Sequence, residues 1–480
     1  MQNVIQRIKK GEGTQKRSGI QVNSTPRKMS SLAYLLFLLP FALAYLSWAY
    51  FPTIAQSAIR NVFGYIILER SANLVWLGLI SFFYTWYTFL AIGFAGFWII
   101  AALIARQKQA AKKQEFYPMV SFVIPAFNEE AHISGCIQSL ALCAEAYGGN
   151  CEVIVVDDGS TDLTFEAAWR SVAACTSASR CRIHWRVVRH MANLGKIEAL
   201  RTGVNTALGQ VIAVADADSA WSSQALARLV DALLVVGHKA VTGYIHPKTD
   251  NPASFLVALQ QLEYSQGLGI DRCGQSLGSC VLVVPGGIGV YDAALLRDIL
   301  VEGNVRSVTE DSEITLEIQK RGGKVGYISA ARCETDAPES LNVLWRQRLR
   351  WYTGWLHNIL DIHADLLRRK SWLSALLWYS FVFEFVGVFV DLAAVIAFPF
   401  LFWFAPDQLN FAFNLVVFVA YGLLISAVNQ ALALRFAYGD YGHLKLLRYT
   451  LFYPFLWIIN VFARLRSIIV YASGNDGKWH

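Results

Sequence analysis

The chain has 480 residues, room for roughly two or three ordinary domains, and carries a formal net charge of +7. It is 55% hydrophobic and only 16% charged, with 15 Trp and 29 Phe, a composition that excludes an ordinary soluble protein. The basic residues are unevenly placed and the apolar ones gather into long runs.

Five runs approach the length needed to cross a hydrocarbon core of about 30 Å. Residues 1–30 form a basic tail with Arg7, Lys9, Lys10, Lys16, Arg17, Arg27 and Lys28. Two spans are expected within 31–105, the first over Ser31 to Tyr50 and the second over Val75 to Ala105. Three more are expected within 373–471: Leu373 to Phe404, Phe411 to Leu434 and Leu447 to Tyr471. The first is read as a retained span, because it follows a long basic tail and lacks a small-residue cleavage site. The third is long for one helix, which leaves room for tilt or a break near Pro399. Its Glu384 and Asp391, and Arg464 of the fifth, are costly in lipid and should face protein or water.

Lys and Arg near the span ends set the orientation. The tail, the segment with Arg106, Lys108, Lys112 and Lys113, and the loop with Arg435, Lys445 and Arg448 are basic, whereas 405–410 has no basic residue. The region between the second and third spans is therefore expected in the cytoplasm, with a short tail, 472–480, outside. All eight Cys lie in that central region without a C-x-x-C pair, so they are expected to stay reduced, mostly as small core residues.

Residues 117–336 alternate short β-branched runs with helical stretches. Strands are expected at Val120 to Pro125, Glu152 to Asp157, Ile183 to Val188, Val211 to Ala215, Ala240 to Tyr244 and Val281 to Val284, and helices at Glu129 to Ala144, Leu163 to Ala174 and Ser312 to Arg321. This pattern predicts an α/β domain with a largely parallel sheet, inserted between transmembrane helices. Ligands of such sheets sit at the carboxyl ends of strands, where the acidic turns at Asp157/Asp158 and Asp216/Asp218 fall. Residues 337–370 place Trp345, Trp351, Tyr352 and Trp355 among arginines at helical spacing just before a span, a pattern fitting amphipathic helices in the membrane interface. A helix hairpin packed only on protein has the same pattern.

Five motifs carry chemistry. Asp157-Asp158-Gly159-Ser160 ends a strand, where a carboxylate can accept hydrogen bonds from a base or ribose; Asp-Gly is also a common turn. Asn193-Leu194-Gly195-Lys196 puts a cation at a helix start, which suits phosphate or a plain helix entry. Asp216-Ala217-Asp218 can share a hard divalent cation with a diphosphate, or be a solvated turn. In Thr309-Glu310-Asp311 the carboxylates can cap a helix, or one can serve as a general base, with Asp311 preferred and Glu310 the rival. In Gln347-x-x-Arg350-Trp351 the Arg fork can clamp a pyrophosphate and the indole can stack on a sugar, although Trp beside Arg is also a membrane anchor.

In this order, with spans on both sides, the motifs resemble those of the membrane-embedded family 2 glycosyltransferases, which include cellulose, chitin, hyaluronan and poly-N-acetylglucosamine synthases. The resemblance covers roughly Met119 to Asn358. It implies a GT-A domain making an inverting, processive transfer from a UDP-sugar to a growing β-linked polysaccharide, with Mg²⁺ or Mn²⁺ as cofactor. It also implies export of that product through a channel formed by the spans. Asp157 and Asp158 would hold uridine, Asp216 and Asp218 the metal–diphosphate, and Asp311 would be the base. Lys196 would bind the UDP phosphates, and Gln347, Arg350 and Trp351 would hold the pyrophosphate at the membrane-proximal edge.

The segments Asn193 to Gly203, Leu259 to Tyr264 and Trp345 to Trp351 look most like the bacterial poly-β-1,6-N-acetylglucosamine synthases. That favours UDP-GlcNAc and a multi-pass protein of the bacterial inner membrane that makes exopolysaccharide for biofilm. The expected acceptor contacts are Gly286, Gly287 and Trp351, although this chain departs from that group here, with Pro285-Gly286-Gly287 in place of its Ser-Gly, which bears on the linkage. The expected partners are the UDP-sugar, the polysaccharide and the lipid bilayer, with room for a small membrane partner subunit, and no nucleic acid. Two alternatives stand: a synthase of cellulose, chitin or hyaluronan type with another donor or linkage, and a single-transfer lipid glycosyltransferase. A transporter without catalysis, motivated by Glu384, Asp391 and Arg464, leaves the acidic motifs without a role.

Overall fold

The computed structural model describes residues 72–108, 116–178, 183–249, 251, 254–404, 408–439 and 442–474, with Leu39 and Ala42. The expected first span and the basic tail, Leu39 and Ala42 apart, lie outside the described residues, as do Cys181 and 475–480. A long helix, α1 (Ala72–Lys108), leads into the central domain. There β1 (Val120–Ala126), α2 (Ile133–Tyr147), β2 (Cys151–Asp157), α3 (Thr164–Ala178), β3 (Ile183–Arg189), α4 (Lys196–Thr206) and β4 (Val211–Val214) alternate.

Every residue of β1 and β2 is buried, as expected for strands covered on both faces. Pro125 is tolerated in β1 because β4 pairs with it only as far as Val123, opposite Val214, so no β4 acceptor waits for the missing N–H. Helix α2 stops at Gly148, whose φ of 74° is the left-handed cap that glycine supplies most readily.

The second half adds β5 (Ala220–Trp221), α5 (Ala225–Val235), β6 (Ala240–Lys248), α6 (Phe255–Gln266, continued by a π-helical turn to Arg272), β7 (Gly289–Asp292), α7 (Ala293–Leu300), α8 (Glu310–Lys320) and β8 (Val325–Asp336). The sheet runs β3-β2-β1-β4-β7-β6-β8-β5. Four of its seven pairings are parallel, and β7 enters antiparallel between β4 and β6.

The expected strand at Val281 to Val284 does not form. Its backbone is held otherwise: Leu282 N donates to Gln275 Oε1 at 3.1 Å and Val284 N to Thr315 Oγ1 at 2.9 Å. Only Cys280 bridges to Val325. The β-strands that take its place in the sheet, β7 and the long β8, follow the glycines at 286 and 287 and the turn at Gly322-Gly323. A bulge in the β6–β8 register falls at Gly243, where an added Cβ would lie 2.3 Å from Ala331 O.

Beyond the sheet come α9 (Leu341–His357), the short α10 (Ala364–Leu367), α11 (Trp372–Phe381), α12 (Gly387–Phe404), α13 (Gln408–Tyr438) and, after a 3₁₀ stretch, α14 (Tyr453–Ala472). A π-helical turn, Val382–Val386, joins α11 to α12 and contains Glu384. The irregularity in this expected span falls there, while Pro399 sits within α12. Among the described residues three segments are long and apolar enough to cross a membrane: Phe89–Lys108, Trp372–Ala393 and Gly442–Ala472. Helix α14 runs alongside α9, with Arg464 over the Tyr352 ring at 5.0 Å and Tyr471 Oη donating to Asp361 Oδ1 at 2.7 Å. Of the seven described cysteines all but Cys280 are buried.

Candidate active site

The first acidic motif ends β2. Both Asp157 and Asp158 are buried and already engaged. Asp157 accepts from Ser160 N at 3.1 Å and faces Arg189 Nε at 3.0 Å. Asp158 accepts from Leu194 N at 3.0 Å and Gly195 N at 2.7 Å, so it holds the loop that delivers Lys196. His190 completes this network, with Nδ1 2.7 Å from Asp158 and Nε2 2.9 Å from Thr202 Oγ1. Gly159 has a φ of 72°, and an added Cβ would meet the Asn193 backbone N at 2.7 Å, which is why glycine stands there.

Lys196 opens α4 and joins two other motifs. Its Nζ is 2.7 Å from Asp216 Oδ1, at the end of β4, and 3.0 Å from Glu310 Oε1, at the start of α8. Burial works against its charge, but Asp216, then Glu310, outweigh that and hold the ammonium above its ordinary range. Gly286 lies against the same pair. A Cβ there would be 2.8 Å from Asp216 Oδ1 and 2.9 Å from Lys196 Nζ. At Gly287 it would meet Ser219 Oγ at 3.0 Å.

Asp218 accepts from Thr335 Oγ1 at 3.1 Å, which ties the Asp-x-Asp loop to the end of β8. Burial, then the Asp216 and Glu129 carboxylates, push its carboxyl up to about 6. Among the described residues no cluster of three or more His, Cys, Asp or Glu could enclose a metal ion. Mg²⁺ takes only one or two protein carboxylates and completes its shell with water and phosphate oxygens. Two carboxylates that repel each other, beside a glycine whose missing Cβ leaves the space open, fit that demand.

Asp311 follows Glu310 in the first turn of α8 and accepts from Ser312 N at 2.7 Å. Burial, then Glu310 next to it, push its carboxyl up to about 6. Both acids, with Gly286, Leu200, Val214 and Tyr291, line one small cavity.

The last motif rides on α9. Arg350 Nη1 donates to Val308 O at 3.4 Å, immediately before Thr309-Glu310-Asp311. The helix approaches closely because Gly354 has no side chain: a Cβ would be 2.4 Å from Thr309 Oγ1. Asn358, fully buried, donates from Nδ2 to Thr309 Oγ1 at 3.1 Å and to Ser312 Oγ. Gln347 Oε1 is buried without a hydrogen-bond partner among the described residues, and the Trp351 ring lies on the Arg348 guanidinium.

The structure thus brings Lys196, Asp216, Gly286, Glu310 and Asp311 together and docks Arg350 beside them. Four supporting residues escape motif reading: His190, Thr202, Gly354 and Asn358. Two of these are small polar side chains and one a glycine, types with no signal outside their packing. At another corner His132 bridges Glu129 and Asp336, at 2.9 and 3.1 Å. The Asn-Glu-Glu following β1 was its only available hint.

Residues 118–354 match the family model "Glycosyltransferase like family 2". The poly-β-1,6-N-acetyl-D-glucosamine synthase of Staphylococcus aureus (strain COL) is 25% identical over 277 residues, 57% of this chain and 63% of that protein. An N-acetylglucosaminyltransferase of Azorhizobium caulinodans is 27% identical over 243 residues, 49% of this chain and 59% of its own length. The chain therefore spans less than two thirds of these relatives. Among solved structures, mannosyltransferase PcManGT of Pyrobaculum calidifontis, in complex with GDP-Man and Mn²⁺, shares the fold with a TM-score of 0.52 at 19% identity, over 76% of this chain and 100% of that one. Together with the GT-A sheet, these matches identify residues 118–354 as a family 2 glycosyltransferase domain similar to that of the poly-N-acetylglucosamine synthases.

Proposed function

We propose that the protein is an inverting, processive synthase that transfers N-acetylglucosamine from UDP-GlcNAc to a growing β-linked polysaccharide and exports the product through its own membrane helices. The observation that carries this reading is the Lys196 bridge between Asp216 and Glu310, which unites three motifs remote in sequence. The similarity to N-acetylglucosamine-transferring proteins supports the donor. The apolar helices flanking the domain support placement in a bilayer, and the Lys and Arg near the span ends support a cytoplasmic domain.

In this mechanism Asp311 removes the proton from an acceptor hydroxyl as its oxygen attacks the anomeric carbon of the donor sugar. The new glycosidic bond forms on the face opposite the diphosphate, the C1–O bond to the diphosphate breaks, and configuration inverts. Lys196 and Arg350 meet the charge developing on the departing UDP, where fixed cations act most strongly. Asp157 and Asp158 shape the uridine end, and Gln347 contributes its unpartnered Oε1 to the nucleotide or sugar. Trp351 offers a face to the acceptor sugar, which enters past Gly286 and Gly287. Asp216 and Asp218 would hold Mg²⁺ or Mn²⁺, which when bound supplies Lewis-acid stabilisation of the diphosphate.

The test is UDP release by purified protein with Mg²⁺ or Mn²⁺, offered UDP-GlcNAc, UDP-glucose or UDP-glucuronate separately. Turnover with UDP-GlcNAc that EDTA abolishes is expected. Turnover with UDP-glucose alone would instead assign the enzyme to the cellulose-like branch.

A further inference from the structure

Arg348 occupies one of the two open positions inside Gln347-x-x-Arg350-Trp351, yet it is the most enclosed charge of the motif, with 5% of its side chain exposed. Its guanidinium does two things. One nitrogen, Nη2, pairs with Glu263 of α6. Its central carbon, Cζ, lies over the indole of Trp351, 4.8 Å from the ring centroid. Glu263 is itself held from a third helix, because Asn460 Nδ2 of α14 donates to its other oxygen at 2.8 Å.

The order of contacts is therefore Asn460, Glu263, Arg348, Trp351. A buried ion pair is a poor source of stability, since desolvation consumes most of its attraction. Adhesion between these three helices has another source: Leu256 and Leu259 of α6, Leu344 of α9 and Leu456 of α14 form a cluster of their own. What the pair does supply is direction. Glu263 fixes the plane of the guanidinium, and a fixed cationic plane fixes the tilt of the aromatic ring stacked upon it.

We propose that Glu263 and Arg348 are positioning residues that set the orientation of Trp351, and through it the grip on the acceptor sugar. The proposal rests on the reading of Trp351 as an acceptor contact. Neither residue is among those assigned to the donor, so the device acts on transfer and product length rather than on cleavage of the UDP-sugar.

The experiment uses the full chain in detergent and reads three quantities: UDP release without acceptor, sugar transfer to acceptor, and product length. R348K keeps the charge but loses the planar face. It is expected to reduce transfer about tenfold and shorten the product, while UDP release without acceptor stays within about twofold of wild type. W351A is expected to reduce transfer at least as much, and R348K/W351A no further than W351A alone, because one acts through the other. E263Q/R348M removes both charges at similar volume and guards against an unpaired buried charge. It should fold, with an unchanged melting temperature, and show the same selective loss of transfer.

Multiplying effects of R348K and W351A would overturn the proposal, as would a folded E263Q/R348M enzyme with normal transfer. Loss of acceptor-free UDP release in step with transfer would overturn it too. A wild-type protein that releases no UDP from any sugar nucleotide would instead remove the functional reading beneath it, so the two failures are distinguishable.

Discussion

Lys196, the first residue of α4, stands 2.7 Å from Asp216 at the end of β4. The two come from separate strand–helix units and meet because Asp158 pins the loop before Lys196 with two backbone hydrogen bonds. Lys196→Met removes the cation that faces Asp216 and Glu310. We expect kcat/KM to fall about 10²- to 10³-fold, the scale of losing one preorganised electrostatic contact to a transition state. Steady-state UDP release, with a melting curve as control, checks this.

Asp311 must be ionised to accept a proton, and burial with Glu310 beside it raises its carboxyl to about 6. The rate is therefore expected to be level above this value and to fall about tenfold per pH unit below it. Glu310→Gln removes the neighbouring charge, so the acid limb should move to lower pH. Asp311→Asn should reduce transfer about 10²- to 10⁴-fold and abolish that limb. A pH–rate profile of the three proteins decides the assignment.

Gly286→Ala places a methyl group 2.8 Å from Asp216 Oδ1 and 2.9 Å from Lys196 Nζ. Both side chains can swing aside, so the fold should survive with a melting temperature near wild type. Their mutual contact should not. We expect at least a tenfold loss of UDP release, partly relieved by raised Mn²⁺ if Asp216 is a metal ligand.

Asn358→Ala cuts the buried hydrogen bonds to Thr309 and Ser312 that dock α9 on α8. Thr309 and Ser312 remain hydrogen-bonded to each other, so each lost bond costs about 0.5–1.5 kcal/mol. The melting temperature should fall, and a fold-neutral result would show that Gly354 packing alone carries the docking.

Much of this was legible in the chain. Strands β1, β2 and β4 are apolar runs ended by turn residues, and each lies within a residue or two of its expected bounds. The motif residues are ionisable types at strand ends and helix starts, so their convergence followed from the parallel sheet. The failures have physical causes. Val281 to Val284 has the composition of a strand, but Gln275 and Thr315 side chains satisfy its backbone instead. The strand Gly289–Asp292 begins with a glycine and has only two apolar residues, too few to show a period. Arg348 stands among the arginines of an expected interfacial helix, and nothing in the sequence reveals Glu263 opposite it.

The central claim is processivity, and product size at low turnover tests it most directly. Wild-type protein with UDP-[¹⁴C]GlcNAc and Mn²⁺ should give high-mass polymer while less than a tenth of the donor is consumed, an order-of-magnitude condition that excludes step-by-step growth of all chains together. A single low-mass glycolipid under the same conditions would contradict the account and make the enzyme a single-transfer lipid glycosyltransferase.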